Sequence, residues 1–336
     1  MLYMEKNKSY FDPHEHIHSK NNRRFSRYYF KLAKFWNSKI AHRKIIIINA
    51  FVSISWGKIE HNNWGDDINL LFLKHITKDY LLPLRSMAYP SSDIYYVNRD
   101  DQPTIVSAIG STIQMIDRPN VVIWGSGLIQ DNITPDLTAA KVCAVRGPLT
   151  REMLIRNGIQ CPEVYGDPAL LLPLYYTPRQ SKRKKYKIGI IPHYVDFFKE
   201  ELQQFSHIDN ILIIKTFGYK RWTDYIDQVN SCEFIVSSSL HGLIIAEAYN
   251  IPNLWAEFQE PIIGDTHRRF KFHDFFQSIH LDRESPYTIN IGTSFSDLYE
   301  QRNYYKKAPG LSLMPLINSC PFSLKLSSLN IEEKTT

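Results

Sequence analysis

Cysteine is scarce and scattered. Cys143, Cys161, Cys232 and Cys320 form no Cys-x-x-Cys pair, which argues against a zinc knuckle and a disulfide framework and suits a reducing compartment. Long apolar runs are missing too. The strongest, residues 45–54, is too short to span a bilayer and has the length of a buried strand. The first forty residues hold no apolar core segment, so no signal peptide is expected and the cytoplasm is the expected location. No repeat at solenoid period, no nucleic-acid recognition motif and no metal-ligand cluster is visible. Neither a metal nor another cofactor is therefore expected, and nucleic acid is not an expected partner.

Acidic residues are absent between His16 and Ile59. There Lys20, Arg23, Arg24, Arg27, Lys31, Lys34 and Lys39 alternate with Phe25, Tyr28, Tyr29, Phe30, Leu32, Phe35 and Trp36. Such a mixture suits a helix lying on an anionic membrane, here at its inner face. A helix packed on the core by its aromatic side, with lysines outward, satisfies the same pattern. His14, His16 and His18 follow Pro13 without a partner cluster and read as part of a solvated tail.

What is present describes a globular protein. A length of 336 residues suggests two domains, and 43% hydrophobic residues exclude wholesale disorder. A formal charge of +6 favours anionic partners, among them phosphorylated substrates and acidic headgroups. Runs of strand, turn and helix recur in both halves. The basic stretch 177–187 lacks apolar periodicity and reads as a linker. The expected organisation is a leader over 1–41, an N-terminal domain over 42–176, the linker, a C-terminal domain over 188–326 and a polar tail over 327–336. The expected fold class is α/β, with two Rossmann-like domains facing a cleft as in the glycosyltransferase B architecture.

The segment 234–249 concentrates the chemistry. An apolar run is followed by Ser237, Ser238, Ser239, Leu240, His241 and Gly242, then by a helical pattern and another strand. The polar turn thus lies at the carboxyl end of a strand, where open α/β sheets bind ligands, and the helix start offers N–H groups to an anion. His241 either caps this turn or exchanges a proton there. Other polar turns fall at expected strand ends. Asn63, Gly65 and Asp66 make one, with Asp66 or Asp67 able to cap the next helix. Gly125 and Gly127 allow close approach of a ligand or of another loop. Arg146 ends a strand before Pro148 and is expected to face the cleft, where its fork can grip phosphate or carboxylate. Gly166, Asp167 and Pro168 form a turn in which Asp167 organises the loop or touches substrate. His193 stands at the tip of the first strand of the second half.

These segments together resemble the polysaccharide pyruvyl transferases. The most specific matches are Leu240-His241-Gly242 with its preceding serines, and Gly166-Asp167-Pro168-Ala169. The Asn63-x-Gly65-Asp66 turn, the glycines at 125 and 127, the segment around Arg146 and Pro192-His193-Tyr194 follow in matching order. The resemblance implies transfer of the enolpyruvyl carbons of phosphoenolpyruvate to a hexose as a cyclic ketal, in making a capsular or exopolysaccharide on a nucleotide- or lipid-linked acceptor. It implies His241 as general acid, Arg146 as a second catalytic group, and substrate contacts from Ser238, Ser239, Leu240, Gly242, His193, Asn63, Asp66, Asp167, Gly125 and Gly127. One departure stands out. Some family members carry an arginine before the Leu-His pair, and here that position is Ser239. Another cation must cover the donor's charge, with Arg146, Arg268 and Arg269 as candidates. Two alternatives remain: a nucleotide-sugar glycosyltransferase in which Glu247 or a neighbour holds a ribose, and a non-catalytic membrane-associated scaffold built on the leader.

Overall fold

The computed structural model describes residues 20–86, 104–116, 120–132, 137–179, 184–258, 269–310 and 312–325. The histidines at 14, 16 and 18, Arg268 and the 327–336 tail lie outside the described residues.

Among the described residues, two five-stranded parallel sheets carry the fold. The first uses β1 (Ile45–Val52), β4 (Tyr80–Ser86), β5 (Thr104–Ser107), β6 (Val121–Trp124) and β7 (Lys141–Ala144), in the order β4-β1-β5-β6-β7. The second uses β8 (Tyr186–Ile191), β9 (Ile211–Ile213), β10 (Cys232–Ser237), β11 (Asn253–Phe258) and β12 (Tyr287–Ile289), in the order β12-β11-β10-β8-β9. A small hairpin, β2 (Ile54–Ser55) and β3 (Lys58–Ile59), follows β1. Strands covered on both faces read as nearly unbroken apolar runs. Ile46, Ile47 and Ile48 in β1 and Phe234, Ile235 and Val236 in β10 are accordingly buried.

Counted within its own sheet, each set of strands has the order 2-1-3-4-5. The order therefore reverses between β1 and β5 in the first sheet and between β8 and β10 in the second. A reversal leaves a crevice beyond the strands' carboxyl ends, because successive connections depart to opposite faces.

The helices cover these sheets. They include α1 (Lys20–Phe35), continued by a π-helical turn over Trp36–Ile40, α2 (Trp64–Ile76), α3 (Pro148–Arg156), the short α4 (Leu172–Tyr175) and α5 (Glu200–Gln203), and α6 (Trp222–Asn230). α7 (Leu240–Ala248), α8 (Phe270–Ser278), α9 (Phe295–Glu300) and α10 (Met314–Asn318) follow. α3 begins with Pro148 and is followed by Gly158 at φ +76°, the start and stop that the sequence implies. The cap of α2 is Asn63, whose Oδ1 accepts from Gly65 N at 3.3 Å. Neither Asp66 nor Asp67 caps it; both lie inside the first turn.

The halves share one apolar core, and the loop leading into α2 fastens them. Trp64 stacks on Tyr225 with ring centroids 4.4 Å apart and donates from its indole nitrogen to Trp222 O at 2.9 Å. Such stacking adds about 0.5–1.5 kcal/mol beyond burial. The chain then crosses back. Trp124 Nε1 donates to Leu316 O at 2.8 Å, Leu316, Ile317 and Phe322 are buried in the shared core, and Thr77 pairs with Leu324. Residues 312–325 thus pack against the first half, although the sequence places them with the second. The short apolar pattern there gives no sign of which sheet it covers.

Candidate active site

A recess of about 230 Å³ lies where the two crevices meet. Phe51 from the end of β1 and Ser111 and Thr112 after β5 line one side. His193 after β8, Ser239 and His241 after β10, and Lys271 from α8 line the other. Asn63 and Asp66, at the start of α2, border it too. The turn chemistry of both halves therefore converges on one place.

His241 is held by glycines. It is the second residue of α7. Its ring lies against the backbone of Gly65, where an added Cβ would collide with Nδ1, and a Cβ on Gly110 would come within 3.3 Å of Cε1. Gly110 has φ +85°, a left-handed conformation that suits glycine. The Asn63-to-Asp66 turn and the Leu240-to-Gly242 helix start, 177 residues apart, thus form one unit in which Gly65 supplies the seat of the imidazole. His241 Nε2 is buried and has no hydrogen-bond partner. An orphaned polar atom costs roughly 1–3 kcal/mol, so such an atom in a recess calls for an explanation. Burial first, then the charges of Lys271, Arg146 and His193, lowers the His241 pKa to about 3. The ring is neutral at pH 7.

The neighbouring carboxylates are shifted the other way. Burial raises Asp66 to about 6, against the stabilising effects of its 2.6 Å hydrogen bond from Asn63 Nδ2 and the charge of Lys271. Asp67, behind it, rises to about 8 through burial and accepts from Tyr219 Oη at 2.6 Å. The recess therefore holds a neutral imidazole, a carboxyl group that titrates near neutrality, and an ammonium group close enough to act on both.

Arg146 does not face the recess as the sequence reading expected. It is 0% exposed. Its Nε donates to Asp274 Oδ2 at 2.9 Å, Nη1 to Ser111 Oγ at 2.5 Å and Nη2 to Leu128 O at 2.6 Å. Asp274 also accepts from Thr150 N at 2.8 Å and Thr150 Oγ1 at 2.7 Å, joining α8 to the first turn of α3. A buried guanidinium needs acceptors such as these, one on each nitrogen. Arg146 is thus a strut behind the wall. It fixes Ser111, which lines the recess, and the helix that carries Lys271 three residues before Asp274.

Several expected contacts prove to be structural. Ser238 Oγ donates to Asp196 Oδ2 at 2.7 Å and accepts from His193 N at 2.9 Å. Gly242 is needed because a Cβ would strike Ser237 Oγ. Gly125, at φ +83°, lies under Pro168, and Gly127 lies under the Arg146 guanidinium, so both approach other loops rather than the recess. Asp167 is fully buried and accepts from Gly110 N and Ala169 N, both at 2.9 Å, which makes it the organiser of the Gly110 turn. Asn63, Asp66, His193, Ser239, Leu240 and His241 do border the recess.

Of the cations considered for the Ser239 position, Arg269 is paired with Glu257 at 2.7 Å, and Arg146 is enclosed. The lysine that borders the recess, Lys271, was legible only as part of a basic cluster. Ser111, Thr112 and Thr216 carried no motif at all, because their role comes from strand order. Glu247, the ribose ligand of the glycosyltransferase alternative, is engaged elsewhere. Its carboxylate accepts from Arg283 and Asn253 at 2.8 Å and from Tyr305 at 3.1 Å.

The arrangement suits an anionic substrate that undergoes proton transfer. A 27% identical stretch of 232 residues is shared with the succinoglycan biosynthesis protein ExoV of Rhizobium meliloti, covering 66% of this chain and 62% of that protein. An uncharacterized protein, L143, of Acanthamoeba polyphaga mimivirus is 30% identical over 167 residues, 49% of this chain and 57% of its own length. The chain thus spans about three-fifths of the length of these curated relatives. The polysaccharide pyruvyl transferase family model matches residues 5–256, three-quarters of the sequence, and the chain belongs to that family.

Proposed function

We propose that the protein transfers the enolpyruvyl carbons of phosphoenolpyruvate to two hydroxyls of a hexose as a cyclic ketal, in the biosynthesis of a surface polysaccharide. The observation that carries this reading is the unpartnered His241 Nε2 in a recess with Lys271 and Asp66, in a chain of this family. The relation to a succinoglycan biosynthesis protein supports the polysaccharide context. The two parallel sheets meeting at one recess agree with a glycosyltransferase B-like architecture.

The chemistry follows from the groups present. Lys271 and the amino end of α7 receive the donor's phosphate and carboxylate, Lys271 taking the place of the arginine absent at 239. The arriving negative charge raises the His241 pKa from its depressed value, so the imidazole gains its proton with the substrate. His241 then gives that proton to the methylene carbon, which becomes a methyl group, and C2 becomes electrophilic. One sugar hydroxyl forms a C–O bond to C2, and the C2–O bond to phosphate breaks. A second hydroxyl closes the ketal. Of the two hydroxyl protons released, one reprotonates the acid and the other leaves on phosphate. Asp66, near neutrality in its own titration, relays one of these two protons beside His241.

The test is phosphate release from phosphoenolpyruvate with candidate hexose acceptors, nucleotide- and lipid-linked, alongside melting with each ligand. A ligand at about a hundred times its dissociation constant adds roughly 2.7 kcal/mol to the folded state. Stabilisation by phosphoenolpyruvate that is lost in Lys271→Ala supports the reading. Stabilisation by nucleotide sugars together with glycosyl transfer, and no phosphate release with any acceptor, would overturn it.

A further inference from the structure

Helix α1 presents two faces of different character. Ser26 and Phe30 are buried, and Ser26 Oγ accepts from Gly57 N at 3.1 Å, which docks the helix on the β2–β3 hairpin. Elsewhere on its surface, Phe25, Tyr28, Leu32, Phe35 and Trp36 are 44, 63, 50, 59 and 62% exposed. Steps of three and four residues place them on one stripe. Trp56, at the hairpin tip and 52% exposed, extends the stripe, with its ring centroid 5.3 Å from that of Phe25. The aromatic-inward packing that the sequence also allowed is therefore not what forms. Most of the aromatics point away from the core.

The surroundings of this stripe are basic. Lys31, Lys39, Arg43 and Lys44 are exposed on the same segment. Beyond its end Arg43, Lys74, Lys78 and Lys325 line a recess of about 490 Å³, in which Asp79 is the acidic group. Contiguous apolar patches of this kind mark interaction surfaces. A second copy of the same surface would cover the aromatics but bring two sets of cations together. An anionic lipid surface accommodates both, with the rings at the acyl boundary and the lysines at the phosphates.

We propose that the exposed stripe of α1 and the Trp56 tip seat the protein on an anionic membrane surface. The hairpin follows β1 directly, and Phe51 at the end of β1 lines the active-site recess, so the Trp56 end of the seat lies on the recess side of the first sheet, while Arg43 lies at the opposite end of β1. The proposal is independent of the reaction assigned to that recess.

The experiment is sedimentation of the full chain with phosphatidylcholine vesicles, with and without phosphatidylglycerol. Binding is expected with the anionic vesicles alone, to weaken as salt rises, and to fall about ten-fold or more in Trp36→Glu and in Leu32→Ser. Lys39→Glu should also weaken it. All three positions are exposed, so their melting temperatures should stay near that of the parent, and a variant that melts early is set aside for the other two. Absence of binding to anionic vesicles would overturn the proposal. So would equal binding to neutral vesicles, binding insensitive to all three substitutions, or a dimer in solution that Trp36→Glu dissociates without any vesicle binding.

Discussion

Arg146 and His241 invite comparison. Each follows the carboxyl end of a strand, β7 or β10, and each stands at or near the start of a helix. Both lie close to the same recess. Yet each nitrogen of Arg146 has a partner, whereas His241 Nε2 has none. A buried polar group whose nitrogens are each engaged by the protein holds the fold. A buried polar atom without a partner raises the energy of the free protein, and where it borders a recess, as His241 Nε2 does, a ligand can relieve that cost. The contrast separates a side chain spent on the fold from one still open to a ligand more sharply than residue type does.

Substitutions can break this contrast. Arg146→Ala has the largest expected effect. It leaves the Asp274 carboxylate buried with its cation gone, and about 3–5 kcal/mol of stability should disappear in urea unfolding. A loss below about 1 kcal/mol would show that the strut is dispensable. His241→Ala should do the reverse. Phosphate release should fall about 10²–10⁴-fold, with a melting temperature close to the parent's, because Nε2 has no hydrogen bond to lose. Activity retained in that variant would remove His241 from the mechanism.

Gly65→Ala sharpens the same point. The added methyl occupies the seat of the imidazole, so phosphate release should drop about 10²-fold from misplacement alone. Adding Gly65→Ala to His241→Ala should cost little more activity, whereas independent multiplication of the two losses would separate the glycine from the ring.

A pH series distinguishes the neighbouring groups. Asp67 keeps its proton to about pH 8 in the folded protein and loses it near 3.8 when unfolded. Its contribution to stability is full below 3.8 and is lost as pH rises through about 8. Asp67→Asn, which retains a partner for Tyr219, should flatten the decline between pH 3.8 and about 8. His241 has the opposite sign: its pKa falls from 6.5 to about 3 on folding, so stability drops as pH falls through that interval. A parent whose stability does not change between pH 5 and 9 would contradict the Asp67 assignment. The smallest effect belongs to the exposed pair of Arg156 and Glu152, one turn apart on α3. Glu152→Ala should change stability by less than about 0.5 kcal/mol, the baseline against which Arg146 is measured.

The sequence made the elements legible where a local rule operates. Pro148 and Gly158 bracket α3, the isoleucines of β1 mark a strand covered on both faces, and His241 falls at a helix start after a strand. It also yielded the family and about half of the residues that border the recess. What it could not yield depends on distance along the chain. The acceptors of Arg146 include Asp274, 128 positions away, and no spacing rule pairs them. Arg146 therefore looked like a ligand-binding arginine. Lys271 reached the recess because that same pair anchors its helix. Ser111 and Thr112 arrive through the reversal of strand order between β1 and β5, a property of the whole sheet.

The return of residues 312–325 to the first half has a consequence for how the protein is made. Domains usually fold as they emerge from the ribosome, the N-terminal one first. Here Trp124 receives its hydrogen-bond acceptor from Leu316, and Thr77 its pairing partner from Leu324. The first half must leave the ribosome with its surface incomplete and stay so throughout synthesis of the second. During that interval the Trp124 face is open to chaperones and to neighbouring nascent chains.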